Sequence, residues 1–242
     1  MPRKKKEVVE EKVKETKDSA KVNDIKEGNV SEILVSDKGD IKETEDVSLD
    51  KNQLVSLEEY KKAGISLGTR VITEFMKKYV FKRRPDGLAT INTNEIDKRI
   101  GLAVNMLSKY APNEIVIACK REGGWKGAEL LGKLTGIKVF TKKYPAGIIT
   151  NIKLEDFFEP AIVLIVDPWI DKSAMSDAIK LNLPVISLCD TNNVTTNVDL
   201  VIPCNNKSGK SLGLIFWILS RELIKKWDIK VDLPPLESFI VE

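Results

Sequence analysis

Residues 184–219 read PVISLCDTNNVTTNVDLVIPCNNKSGKSLGLIFWIL. Two short apolar runs, PVISLCD (184–190) and VDLVIP (198–203), have the length of strands. A polar loop follows Pro203, and a helix is predicted from near Lys210, almost wholly apolar from Leu212 to Leu219. The same rhythm extends back along the chain. AIVLIVD (161–167) is a continuous apolar run, as expected of a strand covered on both faces, and a helix near 172–182 follows it. EIVIAC (114–119) is a further strand. A helix through Ala128, Leu131 and Leu134 closes at Gly136, and IKVF (137–140) comes next. Ile96, Ile100, Ala103, Val104 and Leu107 recur at helical spacing, with Asn92 and Glu95 placed to cap that helix. About five buried strands alternating with helices over residues 88–227 predict a doubly wound α/β domain. Its sheet would be mostly parallel and five-stranded, with helices on both faces.

The loop CNNKSGKS (204–211) resembles the end of a phosphate-binding loop, but that motif needs a glycine five residues before Gly209, and the position holds Cys204. Only 31 residues follow Ser211, too few for the sheet that normally comes after such a loop. What survives is a helix start with Lys207 and Lys210 beside it, suited to a single phosphate. Asp167, Asp171 and Asp190 stand at or just after the carboxyl ends of predicted strands, where open α/β folds place their sites. Two readings follow. They could hold magnesium or accept a phosphoryl group in an enzyme or receiver-like domain, or they could cap helices and fix turns, as Asp171 before KSAMSDAI suggests. The 242 residues contain no histidine, which removes the commonest general base and metal ligand. Cys119, Cys189 and Cys204 form no CxxC pair and read as small buried apolar groups in a reducing interior. Neither a cofactor nor a metal is expected.

Charge is unevenly placed. Residues 1–53 carry 12 basic and 14 acidic side chains and no aromatic, which predicts a flexible tail. Residues 54–227 are then the folded domain and 228–242 a C-terminal tail. The N-terminus lacks the apolar stretch of a secretory signal and no run reaches the length of a membrane span, so a cytoplasmic protein is expected. Within the domain, residues 66–90 follow no clean period and are expected to be an irregular functional segment. Lys61, Lys62, Arg70, Lys77, Lys78, Lys82, Arg83 and Arg84 lie in 61–84 with Glu74 as the lone acid there. Phe75, Tyr79 and Phe81 are interleaved. Cations with aromatics on an irregular loop suit RNA, whose phosphates they neutralise and whose bases can stack.

The stretches YKKAGISLGTR, RRPDGLATINTNEIDKRI, PAGIITN, FFEPAIVLIVDPWIDKSA and the segment from PVISLCD to SREL are similar, in this order, to the S-two family of small-subunit ribosomal proteins in its archaeal and eukaryotic branch. They span about residues 57–224. Ser66 stands where family members often carry histidine, and REGGWKGAEL (121–130) departs from the pattern. The resemblance implies a flavodoxin-like sheet without flavin and a non-enzymatic role against rRNA and neighbouring proteins of the small subunit. It implies no membrane and no small-molecule substrate. Arg70, Lys77, Lys78, Lys82, Arg83 and Arg84 are the expected main RNA contacts, followed by Lys142 and Lys143 after IKVF, and by Lys207 and Lys210.

Overall fold

A computed structural model of the protein describes residues 54–241; the expectation for 1–53 lies outside the described residues. Helix α1 (Leu57–Ala63) starts at Ser56, whose Oγ accepts the Glu59 N–H, and ends at Gly64 with φ 66°. An antiparallel pair, β1 (Val80–Arg83) and β2 (Ala89–Ile91), precedes α2 (Thr93–Leu107). There follow β3 (Ile115–Cys119), α3 (Glu122–Thr135), β4 (Lys138–Thr141), β5 (Ile162–Ile165), α4 (Lys172–Lys180), β6 (Val185–Cys189), β7 (Leu200–Pro203) and α5 (Gly209–Trp227).

The five-stranded sheet has the order β4-β3-β5-β6-β7, every neighbour parallel. The chain enters at β3, moves out to β4, then returns past β3 to β5 and continues to β7. This reversal puts the topological switch point between the carboxyl ends of β3 and β5. Every residue of β3, β5, β6 and β7 is buried, which explains their unbroken apolar spelling. Ile117, Leu164 and Leu188 face the large core with Ile100, Leu131 and Phe216 from α2, α3 and α5. Val116, Val163, Ile165 and Val185 face Met175 and Ala178 of α4, with Phe158 beside them. Helices α3 and α5 approach closely. A Cβ on Gly127 would lie 2.9 Å from the Phe216 ring, so the glycines of REGGWKGAEL serve helix packing.

Local details differ from the sequence reading. Segment 66–90 is ordered, with a single 3₁₀ turn (Lys77–Tyr79) leading into the β1–β2 hairpin. Its connection runs through Pro85-Asp86-Gly87. Gly87 has φ 83°, and Asp86 Oδ1 accepts the Leu88 N–H at 3.1 Å. Asn92 caps α2 through the Asn94 N–H, while Glu95 pairs with Lys98 instead of closing a capping box. The C-terminal segment does not trail away. Phe239 is fully buried, Trp217 Nε1 donates to the Pro234 carbonyl at 3.2 Å, and Lys126 Nζ donates to the Ile240 carbonyl. Its spaced apolar residues Leu233, Leu236 and Phe239 pack on the core, which a short polar-looking end conceals.

Candidate nucleic-acid interface

In a parallel sheet, the loops that follow all strands emerge on one edge. Here that edge gathers cations remote in sequence. Lys142 and Lys143 follow β4, Lys120 and Arg121 follow β3, Lys172 follows β5, and Lys207 and Lys210 follow β7. The hairpin segment is fastened to the turn after β6. The Thr69 N–H donates to Thr191 Oγ1 at 2.8 Å, the Thr73 N–H to the Thr191 carbonyl at 2.9 Å, and Thr73 Oγ1 to the Asn193 carbonyl at 2.8 Å. The Gly68 N–H donates to the Ala89 carbonyl and the Ala89 N–H to the Thr69 carbonyl, tying the arm to β2.

On this arm, Arg70, Lys77, Lys78, Lys82, Arg83 and Arg84 are all exposed. They are not equivalent. Lys82 and Arg70 make no ion pair among the described residues. Lys77 is 4.0 Å from exposed Glu74, and Arg84 is 3.7 Å from Asp86, both weak solvent-screened pairs. Arg83 Nη2 donates to the Arg70 carbonyl at 2.9 Å, so it also holds the arm's shape. Phe75 and Phe81 are exposed, Phe81 at 69%, whereas Tyr79 is buried between Lys78 and Arg99, 5.0 and 5.3 Å from its ring. The first two rings are available for stacking and Tyr79 is not.

Lys143 and Lys210 are exposed and without an ion pair among the described residues. Lys142 has φ 61° and places Nζ 5.5 Å from the Trp125 ring. Lys207 differs: its Nζ is 3.2 Å from Asp190 Oδ2 and from Asn192 Oδ1, so its charge is already matched.

Three carboxylates of this edge face inward, whereas Glu122 at the start of α3 is exposed. Asp167 and Asp190 are each 1% exposed and Asp171 is 4% exposed. Asp167 accepts Arg121 Nε at 2.9 Å and Nη2 at 2.6 Å, the Trp169 N–H at 2.9 Å, and Asn193 Nδ2 at 3.1 Å. Asn193 Oδ1 in turn accepts the Asp190 N–H and Asn206 Nδ2, while Asn206 Nδ2 also reaches the Leu188 carbonyl. Asp190 Oδ1 accepts the Thr191 N–H at 2.6 Å. Asp171 occupies the position before α4 but makes no side-chain cap. Its oxygens accept the Lys120 and Asp167 N–H groups, closing the gap between β3 and β5. The switch point, where related sheets hold ligands, is thus filled by the protein's own polar side chains. With these carboxylates buried, the exposed charges after β3, β4, β5 and β7 are mostly lysines, with Glu122 opposed to them. The partners Arg121, Asn193 and Asn206 were not legible in the sequence, since each forms its contacts across strands far apart in the chain.

Burial pushes the Asp171 carboxyl up to about 7 from 3.8. Between those values the folded protein keeps the proton that the unfolded chain has released. The stability from this group is therefore full at acid pH and is lost as pH rises through about 7. Thermal melts from pH 4 to 8 should show this decline, and Asp171→Asn should flatten it; an unchanged profile in the variant would refute the assignment.

The sequence profile described as Ribosomal protein S2 matches residues 155–225. The small ribosomal subunit protein uS2 of Nanoarchaeum equitans is 44% identical over 172 residues, 71% of this chain and 86% of the relative. That of Ignicoccus hospitalis is 39% identical, covering 75% and 86% of the two chains, and that of Thermoplasma acidophilum 36%, covering 73% and 89%. The chain belongs to the ribosomal protein S2 family. Its relatives here are archaeal, in accord with the branch read from the sequence motifs. Members of the S2 family are structural constituents and not enzymes, so the reading of Asp167 and Asp190 as an enzyme's site falls. Their burial and saturation by internal hydrogen bonds give the physical counterpart. Among the described residues no helix is long and apolar enough to cross a membrane.

Proposed function

We propose that the chain is a structural constituent of the small ribosomal subunit in the cytoplasm, and that the carboxyl edge of its sheet with the 66–91 arm is its rRNA-binding face. The supporting observation is the sorting of charge on that edge. Cations from four strand-following loops and the arm are exposed, against Glu122 as the exposed acid after β3, while Asp167 and Asp171 after β5 and Asp190 after β6 are buried. Such a surface meets RNA through phosphate neutralisation, with Phe75 and Phe81 offering ring faces to unpaired bases. Neighbouring small-subunit proteins are the second class of partner. The arm's cations are the main contacts in this reading, Lys142, Lys143 and Lys210 flank them, and Lys207 contributes chiefly by holding Asp190.

The test is binding to small-subunit rRNA fragments across a salt series. Replacing Lys78, Lys82 and Arg84 by glutamine should lower the log–log salt slope by roughly 2–3, at about 0.7–0.9 per lost phosphate contact. These three spare Arg83, whose loss would also disturb the Arg70 backbone. An unchanged affinity and slope would dismiss the arm as the RNA contact. Failure of the wild-type chain to co-sediment with small subunits would dismiss the ribosomal role.

A further inference from the structure

The connection from β4 to β5 crosses the molecule from the carboxyl edge of the sheet to the amino edge, which it reaches at Ala161, whose N–H donates to the Glu114 carbonyl at 2.7 Å. It is firmly built. The Gly147 N–H donates to buried Asp177 at 2.7 Å, Ile148 and Ile149 are buried, and the Phe158 N–H closes on the Ile148 carbonyl. Between these anchors every residue from 151 to 156 is exposed. Ile152 is 78% exposed, the most of the large apolar side chains described, and Leu154 is 40% exposed. A rigid loop with nothing to cover its two apolar tips is a poor arrangement for an isolated surface and a good one for a contact.

Charge selects the kind of contact. The loop's far leg carries Glu155, Asp156 and Glu159, all exposed and without an ion pair among the described residues, against Lys153 alone. Residues 54–242 as a whole hold 27 basic and 22 acidic side chains, so this leg is opposite in sign to their net charge. Three free carboxylates beside two apolar anchors repel a phosphate backbone and suit a basic protein surface with an apolar depression, the usual pairing of central anchor and charged rim.

We propose that residues 151–159 form a protein-docking element that seats Ile152 and Leu154 in a basic neighbouring protein, on a side of the chain separate from the RNA-binding edge. This rests on the ribosomal reading above and assigns a surface to its protein partner.

The test uses the full chain with a photo-crosslinking amino acid at position 152, incorporated into small subunits in cells, and a second chain with the same group at position 82. Position 152 should yield a nuclease-resistant product with one small-subunit protein of basic composition. Joint replacement of Glu155, Asp156 and Glu159 by lysine, or Leu154→Ser, should reduce that product on the order of tenfold without loss of co-sedimentation. Position 82 should yield a nuclease-sensitive product. Nuclease-sensitive crosslinks from 152, a product with a second copy of this chain, a product indifferent to charge reversal, or no product from chains that co-sediment would each overturn the docking element alone. Chains that do not co-sediment at all, whichever position carries the probe, would overturn the ribosomal reading and the docking element with it.

Discussion

Replacing Asp167 by alanine lowers the unfolding temperature on the order of 10 °C, the larger of two expected effects on the folded domain. The carboxylate is 1% exposed and receives four hydrogen bonds, two of them from the Arg121 guanidinium. Its removal leaves a largely buried cation unmatched, together with the Trp169 N–H and Asn193 Nδ2. Breaking one partner of a buried ion pair costs about 3–5 kcal/mol, and in a domain of this size each kcal/mol moves the midpoint by about 2–4 °C. Asp167→Asn should fall less, since a carbonyl oxygen can still accept from Trp169 and Asn193. Joint replacement, Arg121→Met with Asp167→Leu, should recover much of the loss because neither charge is then stranded. Calorimetric or circular-dichroism melts check this. A single alanine variant that melts within about 2 °C of the wild type would show that the pair contributes little net stability.

Gly68→Ala unlatches the arm. The chain at Gly68 needs no unusual backbone angle; it needs space. An added Cβ would lie 2.5 Å from Thr191 Cγ2 and 2.8 Å from its Oγ1. Thr191 is fully buried and cannot swing aside, because its hydroxyl accepts the Thr69 N–H and its carbonyl accepts the Thr73 N–H. Overpacking of this kind costs about 1–3 kcal/mol. The cost falls on the contacts joining the arm to the β6 turn, so the arm loosens before the sheet does. Limited proteolysis should then cut within residues 66–75, and rRNA affinity should drop on the order of tenfold as preorganisation is lost, with the salt slope little changed. Thr191→Ser removes the nearer clashing atom and keeps an oxygen for Thr69, so the double variant should regain part of both properties. Wild-type protease resistance and affinity in Gly68→Ala would sink the latch.

The arm also shows where sequence reading stopped short. Residues 66–90 obey no helical or alternating period, because β1 has only its first residue half-buried and the other three exposed. Pro85-Asp86-Gly87 was the available signal for a hairpin, and it lay inside a run dominated by charge. Tyr79 looked like its aromatic neighbours in the chain. Its ring joins the large core, and Arg99 arrives from α2 at 5.3 Å from it. Likewise Lys207 and Lys210 are near neighbours in one polar loop, yet one is matched to Asp190 and the other faces solvent.

By itself the sequence determined the order of the five sheet strands and the helices between them, the parallel class of the sheet, the end of α3 at Gly136, and the family. These depend on local spelling: strands buried on both faces must be continuously apolar, and helix ends need residues that tolerate a left-handed turn. Only the tertiary structure decided which charges are available. Asp167, Asp171 and Asp190 are spelled like a ligand site, and only the folded edge turns them inward onto Arg121, Asn193 and backbone N–H groups. Whether a charge meets solvent or a partner is set by residues up to scores of positions away, brought together when parallel strands align their ends. That information is in the chain but has no local signature.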